Sequence, residues 1–169
     1  EETQQAWESE LSKISIEAND EQKEIFYTAL YHSLLNPNIF SDVDGKYRGT
    51  DLQIHESDKN VYTVFSLWDT YRATHPLFTI IEQEKTNEFI NTFLLQYENG
   101  GQLPMWELSA NYTGCMIGYH SIPVIADAYM KNIRDYDTDK IFSACLATST
   151  SNKLGLDAYQ KHGYIAATE

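Results

Sequence analysis

Apolar residues recur three and four positions apart in run after run of this chain, and each run stops at a glycine, a proline or an asparagine. Phe89, Ile90, Phe93, Leu94 and Tyr97 put one stripe on a helix over 86–97, which Asn99-Gly100-Gly101 ends. Ile25, Phe26, Ala29, Leu30 and Leu34 do the same for a helix from Asp20, its expected N-cap, to about Leu35, with Asn36-Pro37-Asn38 as the stop. Ala6, Trp7 and Leu11 mark an earlier helix over 1–13. Ser121 as cap and Pro123 in the first turn open another, with Ile122, Ile125, Tyr129 and Ile133 as its inner face. Weaker helices are expected over 137–147 and 152–162. A helix that starts near Ser66 meets Pro76, which removes a hydrogen bond and crowds the preceding turn, so a kink or restart is expected there. Residues 102–114 read as irregular. The period of 3.6 therefore dominates. It predicts a mainly α chain of paired helices around a common axis, with its chemistry on the loops at one end.

Residues 38–64 break that pattern. Gly45 and Gly49 punctuate them, and Asp42, Asp44, Asp51 and Asp58 crowd them. A long excursion with short strands over 46–48 and 61–64 is expected, and loops of that length in compact domains usually carry function. Asp42-Val43-Asp44-Gly45 hints at a calcium loop. The hint fails, because an EF-hand needs a further ligand before its glycine and a Glu in last place, where Gln53 stands. An Asp-rich tight turn accounts for the same residues.

Charge narrows the function. The 169 residues hold 12 Lys and Arg against 25 Asp and Glu, a net charge of −13. Clustered cations for phosphates are missing, which argues against nucleic acid, and an acidic surface argues against anionic membranes. No apolar run approaches the roughly 18 residues that cross a bilayer. Cys115 and Cys145 lie in segments read as helical and apolar and are expected as buried free thiols. Aromatic residues make up 13%, with 12 Tyr, which serve either a core or stacking on sugar rings. The chain opens on Glu1-Glu2-Thr3 and closes on Ala167-Thr168-Glu169, and both ends are expected to lie inside a longer chain.

Two clusters could carry chemistry. In Phe65-Ser66-Leu67-Trp68-Asp69-Thr70-Tyr71-Arg72, the residues Trp68, Asp69 and Arg72 fall within one helical turn. Asp69 could accept hydrogen bonds from sugar hydroxyls while Trp68 packs on the ring; an ordinary Asp–Arg pair at i, i+3 is the alternative. Residues 101–120 gather Trp106, Glu107, Asn111, Tyr112 and His120. A Glu beside a Trp can have its pKa raised by desolvation, as suits a general acid. The alternatives are a solvated Glu107, a core Trp106 and a structural His120.

The runs FYTALYHSLLNPNIFSDVDGKYRG (26–49), FSLWDTYRATHPL (65–77), GGQLPMWEL (100–108) and GCMIGYHSIPVIADAYMKNI (114–133) together resemble glycoside hydrolase family 92, in order, over roughly residues 20–165. The resemblance implies exo-acting α-mannosidases that invert configuration and require calcium. It implies an (α/α)6 barrel behind a β-sandwich, in proteins several times longer. The expected fold is then a partial (α/α)6 barrel of antiparallel helix pairs with a loop and short-strand excursion near 38–64. The resemblance implies that the whole chain is one internal segment of the catalytic domain, without the β-sandwich and the rest of the barrel. The implied partners are mannose-containing glycans and the remainder of that domain. Ca2+ is the implied cofactor, with its ligands outside this chain, and the implied location is periplasmic or extracellular.

Many members of that family read N-E-T-x-x-M-I-G-Y-H, with the Glu as general acid; here Tyr112 stands in its place. An ordinary Tyr pKa of about 10 makes a poor acid toward a sugar leaving group. Either Glu107 takes the role, or the leaving group needs little protonation, as a phosphate would; some members of the family cleave mannosyl phosphodiesters. The candidate site is therefore Glu107 as acid, with Trp68, Asp69, Arg72, Trp106, Tyr112 and His120 binding substrate. Trp68, Asp69, Trp106 and Glu107 are expected to converge, with Glu107 beside Trp106 and near Tyr112. A non-catalytic helical carbohydrate-binding or interaction module is the alternative of another class.

Overall fold

The structure is a computed structural model that describes residues 1–153, 155–165 and 167. About half of the chain is helical, in eight helices among the described residues, and the strands are short. The chain is mainly α, as the spacing predicts. It forms two compact units, Glu1–Asn38 and Ile39–Glu169.

The first unit holds α1 (Glu2–Leu11) and α2 (Asp20–Ser33). Asn19, not Asp20, caps α2. Its side chain accepts from the Gln22 amide at 2.9 Å, and the Gln22 side chain accepts from the Asn19 amide at 3.3 Å. This reciprocal box satisfies two N–H groups that a helix start leaves free, and Asp20 becomes a first-turn residue favoured by the helix dipole. Trp7 and Tyr31 join the two helices, ring centroids 4.6 Å apart. Of the expected apolar stripe only Leu30 is buried; Ile25 is exposed.

Beyond the two-residue strand β1 (Asn38–Ile39), the second unit opens with the antiparallel pair β2 (Lys46–Arg48) and β3 (Ile54–Glu56), in which Tyr47 faces His55. The strand expected over 61–64 splits. Val64, at φ 68°, turns the chain between β4 (Tyr62–Thr63) and β5 (Phe65–Ser66). The reading of 102–114 as irregular is corrected: β6 (Trp106–Leu108) and β7 (Asn111–Tyr112) form a hairpin beside β5, in the order β5-β6-β7.

The helix expected at Ser66 becomes α3 (Leu67–Thr70) and α4 (Thr74–Ile81). The restart leaves Pro76 in the first turn of α4, where a missing N–H costs little. Helix α5 (Gln83–Gly100) closes on Gly101 in the left-handed conformation, whose N–H donates to the Tyr97 carbonyl at 2.6 Å. Helices α6 (Ser121–Met130), α7 (Thr138–Ser149) and α8 (Leu156–His162) complete the order. His120 stands at the N-cap of α6, and Ser121 is its buried first residue, not its cap. The inner face of α6 and its exit is Val124, Ile125, Ala128 and Ile133. Tyr129 instead lies 41% exposed, its ring centroid 3.8 Å from the Arg134 guanidinium carbon. Cys145 is half-buried on α7, but Cys115 is exposed in the loop before α6, so the expectation of a buried thiol there is corrected. Among the described residues no helix is long and apolar enough to cross a membrane.

Helix α5 is the centre of this unit, packed against α4, α6 and α7. Its Phe89, Ile90 and Phe93 are fully buried. Phe93 meets Phe65 edge-on at 4.9 Å, and Phe89 meets Tyr62 at 4.8 Å. Side chains of this size contribute about 1.5–3 kcal/mol each when buried, and edge-on rings add about 0.5–1.5 kcal/mol per pair.

His75 lies inside this aromatic cluster, edge-on to Phe78 and Phe89, and its Nδ1 finds no partner. Burial penalises the imidazolium and pushes the pKa from 6.5 down to about 4. The folded state then binds fewer protons than the unfolded chain between those two values. The stability owed to neutral His75 is complete above pH 6.5 and is lost as pH falls toward 4. At 1.36 kcal/mol per pKa unit the loss is about 3 kcal/mol. Urea unfolding at pH 7 and pH 4.5 should show His75→Phe losing less stability on acidification than the parent, by about that amount. Equal losses would contradict this account.

Candidate functional site

The three-stranded sheet sets the geometry of the site. Phe65 pairs with Glu107 and Ser66 with Trp106; Glu107 pairs in turn with Tyr112, and Leu108 with Asn111. Side chains along a strand alternate between faces. Phe65, Glu107 and Tyr112 therefore share one face, and Ser66 and Trp106 share the other. Adjacent in sequence, Trp106 and Glu107 point to opposite sides, which corrects the expectation of a pocket common to both.

On the Trp106 side, the Ser66 hydroxyl donates to the Asp69 carboxylate. Asp69 is exposed, and Trp106 and Trp68 are each partly buried. The Trp106 carbonyl accepts from the Thr113 hydroxyl at 2.9 Å, which ties the start of the 113–120 loop to β6. The sheet thus brings the Trp106 segment beside the Trp68–Asp69 turn.

A second cluster grows from α3. The Arg72 guanidinium carbon lies 4.4 Å from the Trp68 ring centroid and 5.1 Å from that of Tyr71, and its Nε donates to the Trp68 carbonyl at 3.3 Å. The i, i+3 geometry is thus spent on a cation over two rings rather than on an Asp69–Arg72 ion pair. Tyr71 stacks on His120 with centroids 4.5 Å apart and planes tilted by 33°. His120 is partly buried and its Nδ1 lacks a partner. Trp68, Arg72 and His120 are therefore joined through Tyr71, which no feature of the sequence singles out.

On the other face, Glu107 is 2% exposed. Thr63 Oγ1 donates to its two oxygens at 2.9 and 3.1 Å, and the Ala110 amide donates to Oε1 at 2.6 Å. Burial pushes the Glu107 carboxyl up, opposed by hydrogen bonds from the Ala110 amide, the Thr63 hydroxyl, the Val64 amide and the Gln96 side chain. Tyr112 lies directly across the hairpin, 45% exposed, with its phenol also pushed up by burial. Both residues line a cavity of about 140 Å³ with Gln96 and Pro104. A larger hollow of about 450 Å³ lies between Tyr112, Met105, Met116, Tyr119 and Leu156. The seven expected residues thus fall into three groups: Asp69 with Trp106; Trp68, Arg72 and His120; Glu107 with Tyr112.

Among the described residues no three His, Cys, Asp or Glu side chains gather to hold a metal ion. In the acidic excursion Asp42 accepts from the Val43 amide, and Asp44 accepts from the Lys46 amide and ammonium.

With this geometry the chain can be set beside known proteins. The glycosyl hydrolase family 92 catalytic domain matches residues 1–169, and the chain belongs to that family. It is similar to the solved family GH92 alpha-mannosidase BT3965 from Bacteroides thetaiotaomicron, at 42% identity and a TM-score of 0.90 over 94% of this chain and 22% of that one. The complex of that protein with mannoimidazole matches at 40% identity and 0.90, over 94% and 21%. The inverting GH92 mannosidase BT2199 from Bacteroides thetaiotaomicron VPI-5482 matches at 30% and 0.89, over 98% and 24%. The chain therefore spans less than a quarter of the length of these proteins. No curated protein sequence matches it significantly.

The loop that carries His120 depends on two glycines, at positions 114 and 118, both in the left-handed region at φ 66° and 81°. A Cβ at Gly114 would meet nothing within 4 Å, whereas one at Gly118 would come within 2.4 Å of the His120 ring. Gly114→Ala should cost about 1 kcal/mol, the left-handed penalty alone. Gly118→Ala should cost roughly twice that, because it also pushes His120 off Tyr71. Denaturant unfolding compares the two, and equal losses would show that His120 yields freely.

Proposed function

We propose that the protein to which this chain contributes hydrolyses terminal non-reducing α-linked mannose from N-glycans or mannan, with inversion of configuration. The observation that carries this reading is the β5–β6 register. It sets Trp106 beside the Trp68–Asp69 turn in a chain 42% identical to a solved alpha-mannosidase. An indole stacks on the apolar face of a sugar, and an exposed carboxylate beside it can accept hydrogen bonds from hydroxyls. Inversion needs one carboxyl group to protonate the leaving oxygen and another to activate water on the opposite face. Glu107 is poorly suited to the first task, because its oxygens are turned inward onto fixed donors. In this reading the acid comes from elsewhere in the domain.

Calcium belongs to the same reading. When bound it would polarise sugar hydroxyls, and in this reading its ligands come mostly from the rest of the domain. The glycans named are met outside the cytoplasm, so a periplasmic or extracellular site of action is part of the proposal.

A second reading is favoured by Tyr112. A phenol whose pKa is raised by burial stands where many family members have a Glu, and a phosphate leaving group departs without a proton. Hydrolysis of mannosyl phosphodiesters fits that residue better than hydrolysis of disaccharides.

The complete protein should release β-mannose, seen by NMR during turnover, and α-mannose would exclude inversion. If Tyr112 leaves the site without an acid, a mannosyl phosphodiester and an aryl α-mannoside should turn over about 10²–10⁴-fold faster than a mannose disaccharide, the usual worth of a general acid. Tyr112→Glu should then narrow that gap. Equal rates on all three would point to an acid outside the chain and favour the first reading. Mannose binding without turnover would indicate a non-catalytic module.

A further inference from the structure

Three residues other than glycine adopt left-handed backbone around one side chain. They are Val64 at φ 68°, Ser109 at φ 51° and Ala110 at φ 61°. A β-branched residue in that region is an outlier, and such strain persists only where the surroundings over-determine it. The surroundings here are few. Thr63 Oγ1, next to Val64, donates to Glu107 and accepts from the Ser109 amide at 2.7 Å. Glu107 Oε1 accepts from the Ala110 amide. The Ser109 carbonyl accepts from Arg48 at 2.7 Å and from Asn111 Nδ2 at 3.0 Å. One carboxylate and one hydroxyl thus bind the N–H groups of both residues in the hairpin turn, and the hydroxyl belongs to the residue before the other strained position.

Each strained point opens onto residues of the candidate site. Val64 leads into Phe65, Ser66 and then Trp68 and Asp69; Ala110 leads into Asn111 and Tyr112. We propose that Glu107 is a positioning residue: its buried carboxylate, with Thr63, locks the Val64 turn and the Ser109–Ala110 turn to each other, and so fixes the Trp68–Asp69 turn relative to Tyr112. The purpose of that fixed geometry rests on the mannoside reading; the lock itself does not. Glu107 suits the task because an ionised carboxylate only accepts hydrogen bonds and can take several at once. Its Gln analogue keeps one accepting oxygen and presents an NH2 in place of the other, so it can hold fewer of these donors.

The test uses the complete protein with Glu107→Gln, and with Thr63→Val as a second variant that leaves the carboxylate in place. Turnover is followed on an aryl α-mannoside and on a mannose disaccharide, and amide hydrogen exchange is followed over 62–66 and 108–112. The expected result is a fall in kcat of about 10- to 100-fold, equal on both substrates, the scale on which small misplacements act. KM should change by less than about 3-fold, and exchange should quicken in both segments together, in both variants. A loss at least tenfold greater on the disaccharide would make Glu107 the acid and overturn the proposal. So would faster exchange in one segment only, or an unchanged kcat per folded molecule with merely a lower melting temperature. If the parent protein hydrolyses neither substrate, the mannoside reading fails, and joint or separate exchange still decides whether Glu107 couples the two turns.

Discussion

A buried carboxylate that only accepts hydrogen bonds holds the three-stranded sheet of the second unit. Burying a charge is costly unless the group is hydrogen-bonded, and Glu107 meets that condition through Thr63 and Ala110. The dependence runs both ways. Strands β5 and β7 have two residues each and β6 has three, far too short to hold a sheet by their own ladder. They stay in register because Phe65 is pressed on Phe93 from one side, and because the carboxylate opposite Phe65 collects the amides that the turns leave free. Removing the charge would leave donors unpaired in the interior, which costs more than the net gain from forming such bonds.

The helices were legible in the sequence where packing surrounds them. Helix α5 is enclosed by three others, so its Phe89, Ile90, Phe93 and Leu94 read as one stripe, and they are buried as that stripe requires. The strand at Lys46–Arg48 was legible because Gly45 and Gly49 bracket it. The hairpin at 106–112 was not. Two- and three-residue strands give no alternation to read, and its turn uses Ser109 and Ala110 in a conformation that usually announces itself with Asn or Gly. The support for that turn comes from Thr63, distant in sequence, which no local pattern reveals. The same blindness misjudged Cys115. Its apolar neighbours Met116 and Ile117 suggested a buried helix, but Met116 at φ 65° lies in a loop, and both side chains are exposed.

The candidate site was legible as residue types and not as an arrangement. Trp68, Asp69 and Arg72 do share a turn, yet Arg72 covers aromatic rings and Asp69 takes the Ser66 hydroxyl. Trp106 and Glu107 stand next to each other in the chain and on opposite faces of a strand, a separation that comes from the pleat once the strand is known. Tyr112 is the residue whose meaning changes most. Across the hairpin from Glu107, with its phenol pushed up by burial, it neither replaces a carboxylic acid nor offers a ready phenolate.

The most direct measurement is a crystal structure of the complete protein with mannoimidazole bound, the ligand present in one of the solved relatives. The inhibitor is expected on the side of the sheet that carries Asp69 and Trp106, with Glu107 still bound to Thr63 and Ala110 and out of reach. An inhibitor hydrogen-bonded to the Glu107 carboxylate, with the Thr63 and Ala110 contacts broken, would contradict it.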